Sequence, residues 1–215
     1  MIRLLQPLVL ASRSPQRRAI LTQLGIRFTV VEPGYIETDP PGERPSELVV
    51  THAVGKARSV EGPLVLGVDT TVALDGDSLA KPADAAEAGA MLRRLAGRTH
   101  TVYSGLCLRC AEAEHVRLAA TEVTFRDLTE REIEWYLGEG EWHGRAGGYA
   151  VQGRGAALVT AIAGDYTNVV GLPVAVLVDA FAEAAAPADC DTALPRFRCN
   201  CSGFPKDVRS ESSTH

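Results

Sequence analysis

The run Ser12-Arg13-Ser14-Pro15-Gln16-Arg17-Arg18 gathers hydroxyls, a proline and three guanidinium groups within seven positions. It follows a short apolar stretch, Leu8-Val9-Leu10-Ala11. It precedes a helical pattern in which Ile20, Leu21 and Leu24 share a face and Gly25 is the stop. The pattern predicts a strand, a tight turn and a helix N-terminus. Ser14 can cap that helix, and Pro15 suits its first position because the missing N–H would have no partner there. Free backbone N–H groups and the positive end of the helix dipole then lie beside Arg13, Arg17 and Arg18. That is a setting for an anion, phosphate above all. A surface helix start that happens to carry arginines is the competing reading. It leaves unexplained why three cations sit where the dipole disfavours them.

Two further positions have chemistry in them. Asp69 ends the apolar run Leu64–Val68, and carboxylates at strand ends in α/β sheets meet ligands and metals. The plainer alternative is that it caps the following turn. Lys81 precedes a helix and pairs a cation with backbone N–H groups. A solvated surface lysine is the alternative there.

The elements that must carry these residues can be laid out in order. Residues 33–45 are rich in proline, glycine and acids and read as a loop. A helix is expected from Ser46 to about Ser59, with Lys56 in its last turns. Leu64–Val68 and Thr71–Leu74 read as strands, with Asp75-Gly76 as a hairpin turn. Asp84 to Leu95 is a helix with Ala88, Met91, Leu92 and Leu95 as its stripe. His100–Cys110 and Val116–Arg126 are long strands, and Thr129-Glu130-Arg131-Glu132 is a capping box opening a helix to about Leu137. Glycines crowd residues 144–157 where strands are expected, which suggests close backbone approach to a ligand. Leu158–Ile162 is a strand. Gly171-Leu172-Pro173 opens a last helix with Val174, Leu177, Val178 and Phe181 turned to the core.

Composition narrows the function classes. The chain has 215 residues, 46% hydrophobic and 23% charged, the profile of a globular protein. Its net charge of −5 and the lack of an aromatic-basic stripe argue against a nucleic-acid-binding module. No apolar run approaches the roughly 20 residues that span a bilayer, and no cleavage-site pattern marks a leader. Five cysteines do not pair into a framework, so a reduced, cytoplasmic protein is expected. Cys107 and Cys110 form a CxxC pair in a strand, where residues three apart face opposite ways. Residues 187–215 are polar and aperiodic and read as a disordered tail after one domain, 1–186. Cys190, Cys199, Cys201 and His215 match no standard zinc spacing.

Taken together, Ser12-x-Ser14-Pro15-x-Arg17, Gly67-x-Asp69-Thr70-x-Val72, Lys81-Pro82, the run Met91 to His100, Ala146-Gly147-x-Tyr149-x-x-Gln152-Gly153-x-Gly155 and Gly171-Leu172-Pro173 closely resemble the Maf family of nucleoside triphosphate pyrophosphatases. The resemblance runs from about residue 8 to 182. It implies an α/β fold related to the inosine triphosphate pyrophosphatases, an elongated mixed sheet with flanking helices and a central cleft between two lobes. It also implies hydrolysis of a nucleoside triphosphate to the monophosphate and pyrophosphate with Mg²⁺ or Mn²⁺, in a homodimer. By motif position Asp69 matches the proton acceptor and Glu37 the acidic residue near the metal. Lys56 and Lys81 match phosphate-contacting lysines, and Ser12, Ser14 and Arg17 the first phosphate loop. Thr70 and Gln152 fall where the dTTP/UTP branch has its specificity residues. A branch acting on 7-methyl-GTP carries different residues at those places.

The chemistry of the residues agrees with that resemblance. Phosphoanhydride hydrolysis needs charge neutralisation and a positioned water more than a covalent nucleophile. Asp69 and Glu37 offer the oxygen ligands that hard cations prefer. Lys56, Lys81 and Arg17 can balance charge developing on pyrophosphate, and Gln152 can both donate to and accept from a pyrimidine edge. Two departures stand out. Gln16 replaces an arginine common in the family at a position tied to substrate choice, and Gly144-Arg145 replaces its Asp-Lys. A dinucleotide-dependent enzyme is the first competing class, but Ser-Pro stands where GxGxxG would follow the first strand. A non-catalytic nucleotide-binding regulator of cell division is the second, and the presence of Asp69, Lys56 and Lys81 disfavours it.

Overall fold

The computed structural model describes residues 4, 6–40, 42–111 and 113–185. The expected tail at 187–215, with Cys190, Cys199 and Cys201, lies outside the described residues, as does the boundary at 186.

Among the described residues seven strands form one mixed sheet, in the order β2 (Phe28–Val31), β1 (Leu8–Ala11), β3 (Leu64–Leu74), β5 (Thr99–Cys110), β6 (Ala113–Phe125) and β7 (Val159–Ala163), with β4 (Asp77–Leu79) beside β3. β1 (Leu8–Ala11) is wholly buried. α1 (Pro15–Gln23) follows, capped by the Ser14 side chain, which accepts from the Arg17 N–H. β2 (Phe28–Val31) pairs parallel with β1. The sequence reading missed it, because an edge strand that is mostly exposed shows neither an apolar run nor clean alternation. α2 (Pro45–Arg58) begins at Pro45, one residue before the expected Ser46.

β3 (Leu64–Leu74) corrects a larger expectation. The strand does not end at Asp69 but runs unbroken through it. Its first part pairs parallel with β1, up to Ala11 opposite Gly67. Its last part pairs antiparallel with β4 (Asp77–Leu79) across the predicted hairpin. Asp69 therefore stands just past the carboxyl end of β1, on a strand that continues without it. This is the crevice outside strand ends where α/β proteins meet ligands, reached by a mid-strand residue.

α3 (Ala85–Leu95) buries the predicted stripe and is capped by Asp84. β5 (Thr99–Cys110) and β6 (Ala113–Phe125) form the long antiparallel pair. α4 (Glu130–Gly138) opens on the complete capping box of Thr129 and Glu132. The glycine-rich stretch contains 3-10 turns at Ala146–Gly148 and Gly153–Leu158 rather than strands. Gly147 and Gly148 sit at φ +69° and +70°, and a Cβ on them would meet Val72 and Ala88 at 3.0 and 3.3 Å. Their close approach is to the protein's own core, not to a ligand. β7 (Val159–Ala163) pairs with β6. α5 (Tyr166–Val170), unforeseen because it is a single short turn, precedes Gly171. α6 (Val174–Ala184) buries Leu177 and Phe181, but Val178 is 40% exposed and does not face the core.

One cluster, through Val9, Ala53, Ala57 and Val65, seats α2 on the sheet; the remaining apolar packing divides between the two ends of the long strands. One core joins β1, α1, α6 and the near halves of β3 and β5, through Leu10, Leu21, Leu66, Leu106 and Leu177. The other joins α3, α4 and the far halves, through Val72, Leu92, Phe125, Ile133 and Tyr136. Burying each such side chain contributes roughly 1.5–3 kcal/mol. The polar residues Asp69 and Thr70 fall between the cores, so the cleft opens where neither core needs β3 to be apolar.

Candidate active site

A cleft of about 690 Å³ is lined by Ser12, Arg17, Glu37, Lys56, Asp69 and Lys81, and by Arg145, Tyr149 and Gln152 from the opposite side. Every residue expected at the site lines this one space, including Ser14, Gln16 and Thr70.

Lys56 is at its centre. Its Nζ donates to Asp69 Oδ1 at 2.6 Å and lies 2.7 Å from Glu37 Oε1. The lysine side chain is 8% exposed. A charged residue on the buried face of a helix is rare unless paired, and here it is paired twice. Two glycines make the approach possible. A Cβ on Gly67 would lie 2.2 Å from the Ala53 carbonyl oxygen, and one on Gly105 would lie 2.1 Å from that of Val49. Only bare backbone lets α2 lie this close to β3 and β5, and that closeness brings Lys56 to Asp69.

Burial alone would raise the pKa of Glu37. The Lys56 hydrogen bond and charge, helped by His52 and Lys81, outweigh it and hold the carboxyl below its ordinary value. The Glu37 side chain is 49% exposed, so its ion pair contributes only about 1 kcal/mol. That is no more than the roughly 1–2 kcal/mol it costs to order one residue of backbone. The segment carrying Glu37 needs other anchors.

Arg17 is built into the opposite corner. Its Nε donates to the Gly171 carbonyl at 2.9 Å, and its terminal nitrogens donate to Ser12 Oγ at 3.1 Å and Thr70 Oγ1 at 3.2 Å. Burial lowers its pKa, opposed by the charges of Asp69 and Glu37. Thr70 Oγ1 also lies 2.8 Å from Ser104 Oγ, its direct cross-strand partner. Ser12 Oγ accepts from the Ser14 N–H at 3.1 Å, and the Ser14 hydroxyl donates to Gln16 Oε1 at 3.2 Å. The three arginines of the turn therefore separate in role. Arg13 pairs with Glu32 on the surface, and Arg18 donates to the Arg13 carbonyl. Arg17 alone is buried in the cleft wall.

On the far wall Tyr149 Oη lies 2.7 Å from His100 Nε2. Lys81 and Gln152 are exposed. Gly144 lines the cleft beside Arg145, whose Nε is buried with no hydrogen-bond partner among the described residues. The sequence reading treated Arg145 only as a replacement for lysine and did not place it in the site. Tyr35 and His52 were also missed. His52 is four residues before Lys56 on α2, a spacing that puts both on one face, and that was the available signal.

Asp69 and Glu37 each give one oxygen to the Lys56 ammonium and each carries a second, a hard oxygen donor. Among the described residues no group of three or more His, Cys, Asp or Glu gathers to hold a metal. Magnesium-like ions are commonly held by one or two carboxylates with substrate phosphates completing the shell, and Asp69 with Glu37 fits that pattern.

One cleft in a mixed α/β sheet thus brings together a serine–arginine turn, buried cations and paired carboxylates. The chain belongs to the Maf family: the family model described as Maf-like protein matches residues 7–184. It is 48% identical over 181 residues to the dTTP/UTP pyrophosphatase of Pelotomaculum thermopropionicum, covering 81% of this chain and 95% of that one. It is 47% identical over 173 residues to the protein of that name from Symbiobacterium thermophilum, covering 79% and 89%. The Myxococcus xanthus protein of the same name is 47% identical over 184 residues, covering 84% and 93%.

Proposed function

We propose that this protein hydrolyses nucleoside triphosphates, dTTP and UTP first among them, to the nucleoside monophosphate and pyrophosphate. The observation that carries the reading is Lys56 bridging Asp69 and Glu37 in the same cleft as buried Arg17. The names of the relatives support the substrate choice.

In this mechanism a water attacks the α-phosphorus and the bond to the bridging oxygen of the β-phosphate breaks. Asp69 accepts the proton of the water, and pyrophosphate leaves with the bonding electrons. Lys56 holds the carboxylate in place and neutralises charge growing on the phosphates, and Lys81 and Arg17 add to that from the two walls. Glu37 and Asp69 would hold Mg²⁺ or Mn²⁺ together with the phosphates. The ion, when bound, supplies polarisation of the phosphate oxygens and a lower pKa for water. Ser12 and Ser14 belong to the phosphate end. Thr70 and Gln152 are assigned to the base end, where Gln152 has both a donor and an acceptor for a pyrimidine.

A homodimer and a cytoplasmic location complete the reading. Among the described residues no helix is long and apolar enough to cross a membrane, and Cys107 and Cys110 are free thiols. The test is pyrophosphate release from dTTP, UTP, CTP, GTP and 7-methyl-GTP with Mg²⁺. Release from dTTP and UTP well above that from the other triphosphates is expected. Release confined to 7-methyl-GTP overturns the substrate choice. Binding without release from any triphosphate overturns the enzyme reading and favours a regulator.

A further inference from the structure

Glu37 lies on a segment, residues 33–40, with no regular secondary structure, and its half-exposed ion pair is too weak to order that segment. Something else fixes where the carboxylate sits. Three residues two apart, Tyr35, Glu37 and Asp39, all meet the same face of α2. Tyr35 Oη lies 3.1 Å from His52 Nδ1, Glu37 Oε1 lies 2.7 Å from Lys56 Nζ, and Asp39 Oδ1 lies 2.8 Å from His52 Nε2. His52 is 3% exposed. Between these points Ile36 turns out to solvent at 81% exposure. The Asp39 carboxylate can only accept, so Nε2 carries the proton and donates to it. Nδ1 faces the Tyr35 hydroxyl on the other side of the ring.

The tyrosine ring is also seated in a space made for it. A Cβ on Gly55 would lie 2.3 Å from Tyr35 Cε2, so α2 carries a glycine one residue before Lys56 where the ring packs. Ring and imidazole meet at 5.7 Å between centroids.

We propose that Tyr35, His52 and Asp39 form a clamp that sets the position of Glu37 against Lys56 and Asp69. They are positioning residues: none needs to touch substrate, and the clamp acts through the carboxylate it brackets. The proposal rests on the assignment of Glu37 to the reaction centre. Anchoring on both sides of Glu37 leaves its backbone little freedom, as a group that must hold a charge in a fixed place requires.

The experiment compares wild type, Tyr35→Phe with Asp39→Ala, His52→Gln and His52→Leu, each as the full chain. Hydrogen exchange of residues 33–40 and steady-state dTTP hydrolysis are measured side by side. The double variant keeps the ring packing and changes only the two polar ends. It should speed exchange in 33–40 and lower kcat roughly ten- to hundredfold, the size of a misplaced catalytic group. KM should move less than about threefold if binding elsewhere is untouched. His52→Gln retains a donor toward Asp39 and should recover part of the kcat that His52→Leu loses. Unchanged exchange in 33–40 overturns the clamp. Faster exchange with unchanged kcat shows a segment that is held, but not for the reaction, and overturns it as well. If wild type releases no pyrophosphate from any triphosphate, the assignment of function fails instead, and the exchange data still decide whether the clamp holds the segment.

Discussion

The two walls of the cleft are made differently. On the wall formed by the serine–arginine turn, β3 and α2, nearly every polar atom is bonded: Arg17 to three partners, Lys56 to two carboxylates, Thr70 to Arg17 and Ser104. On the wall formed by Lys81 and residues 144–152, Tyr149 is bonded to His100, but Lys81 and Gln152 are exposed and Arg145 Nε has no partner among the described residues. A wired wall suits the part of a ligand that never changes, the phosphates, because fixed dipoles need no reorganisation when charge develops. A loosely bonded wall suits the part that varies, the base; Lys81 and Thr70 cross this division, one a phosphate cation on the loose wall and the other assigned to the base end from the wired one. Substitutions on the first wall should therefore damage rate and stability together. Those on the second, Lys81 aside, should shift preference with the fold intact.

The largest effect is expected from Asp69→Asn, which keeps the shape and removes the proton acceptor. The loss in kcat should be roughly 10²- to 10⁴-fold, the usual weight of a general base. A stopped assay of pyrophosphate release measures it, and a loss under tenfold breaks the assignment.

Lys56→Met comes next. It leaves two carboxylates facing each other without the charge between them. Breaking a buried pair this way costs about 3 kcal/mol, and the half-exposed Glu37 trims that figure. The pH dependence carries a sign that can be checked by urea melts. The pKa of Glu37 is lower in the folded chain than its ordinary 4.5. Its contribution to stability is thus full above that ordinary value and is lost as pH falls through the lowered one. Lys56→Met removes most of the cause, so the variant should lose less stability than wild type on acidification across that window. An identical acid slope in both chains counts against the bridge.

Arg17→Lys keeps the charge but cannot reproduce the fork that reaches Ser12, Thr70 and Gly171 at once. A destabilisation of about 1–3 kcal/mol is expected from the buried acceptors left unmatched, with a clear drop in kcat. Thermal melts and dTTP turnover together test it. A neutral outcome would mean that charge alone matters there.

Gln152→Ala should do least to the molecule and most to selectivity. Its melting temperature should stay within about 2 °C of wild type, as exposed substitutions do. The ratio of kcat/KM for UTP over CTP should fall roughly tenfold. If the ratio holds, the far wall is not where the base is read.

How much of this could be read from residues alone differs by wall and by element. The helix caps at Ser14 and Thr129 were legible because capping is local chemistry, whereas Asp84, read as the first helical residue, is the cap of α3. The hairpin at Asp75-Gly76 and the stripe of α3 were legible too. The cations and carboxylates of the cleft were legible as a family pattern. Their grouping was not derivable from spacing, because it depends on Gly67 and Gly105 admitting α2 to the sheet. Asp69 and Thr70 looked like a strand end because polar residues interrupt the apolar run. In the fold they are carried through by pairing with Gly105 and Ser104. The glycines at 147 and 148 suggested a ligand and instead pack against Val72 and Ala88. The Tyr35–His52–Asp39 contacts join a loop to a helix, and no local rule announces that pairing.

The most direct measurement of the central claim is hydrolysis of dTTP in water enriched in oxygen-18, followed by mass analysis of both products. Attack at the α-phosphorus by a water deprotonated at Asp69 predicts one labelled oxygen in dTMP, unlabelled pyrophosphate, and loss of both products in Asp69→Asn. Label in pyrophosphate, or formation of dTDP and phosphate, would contradict the account.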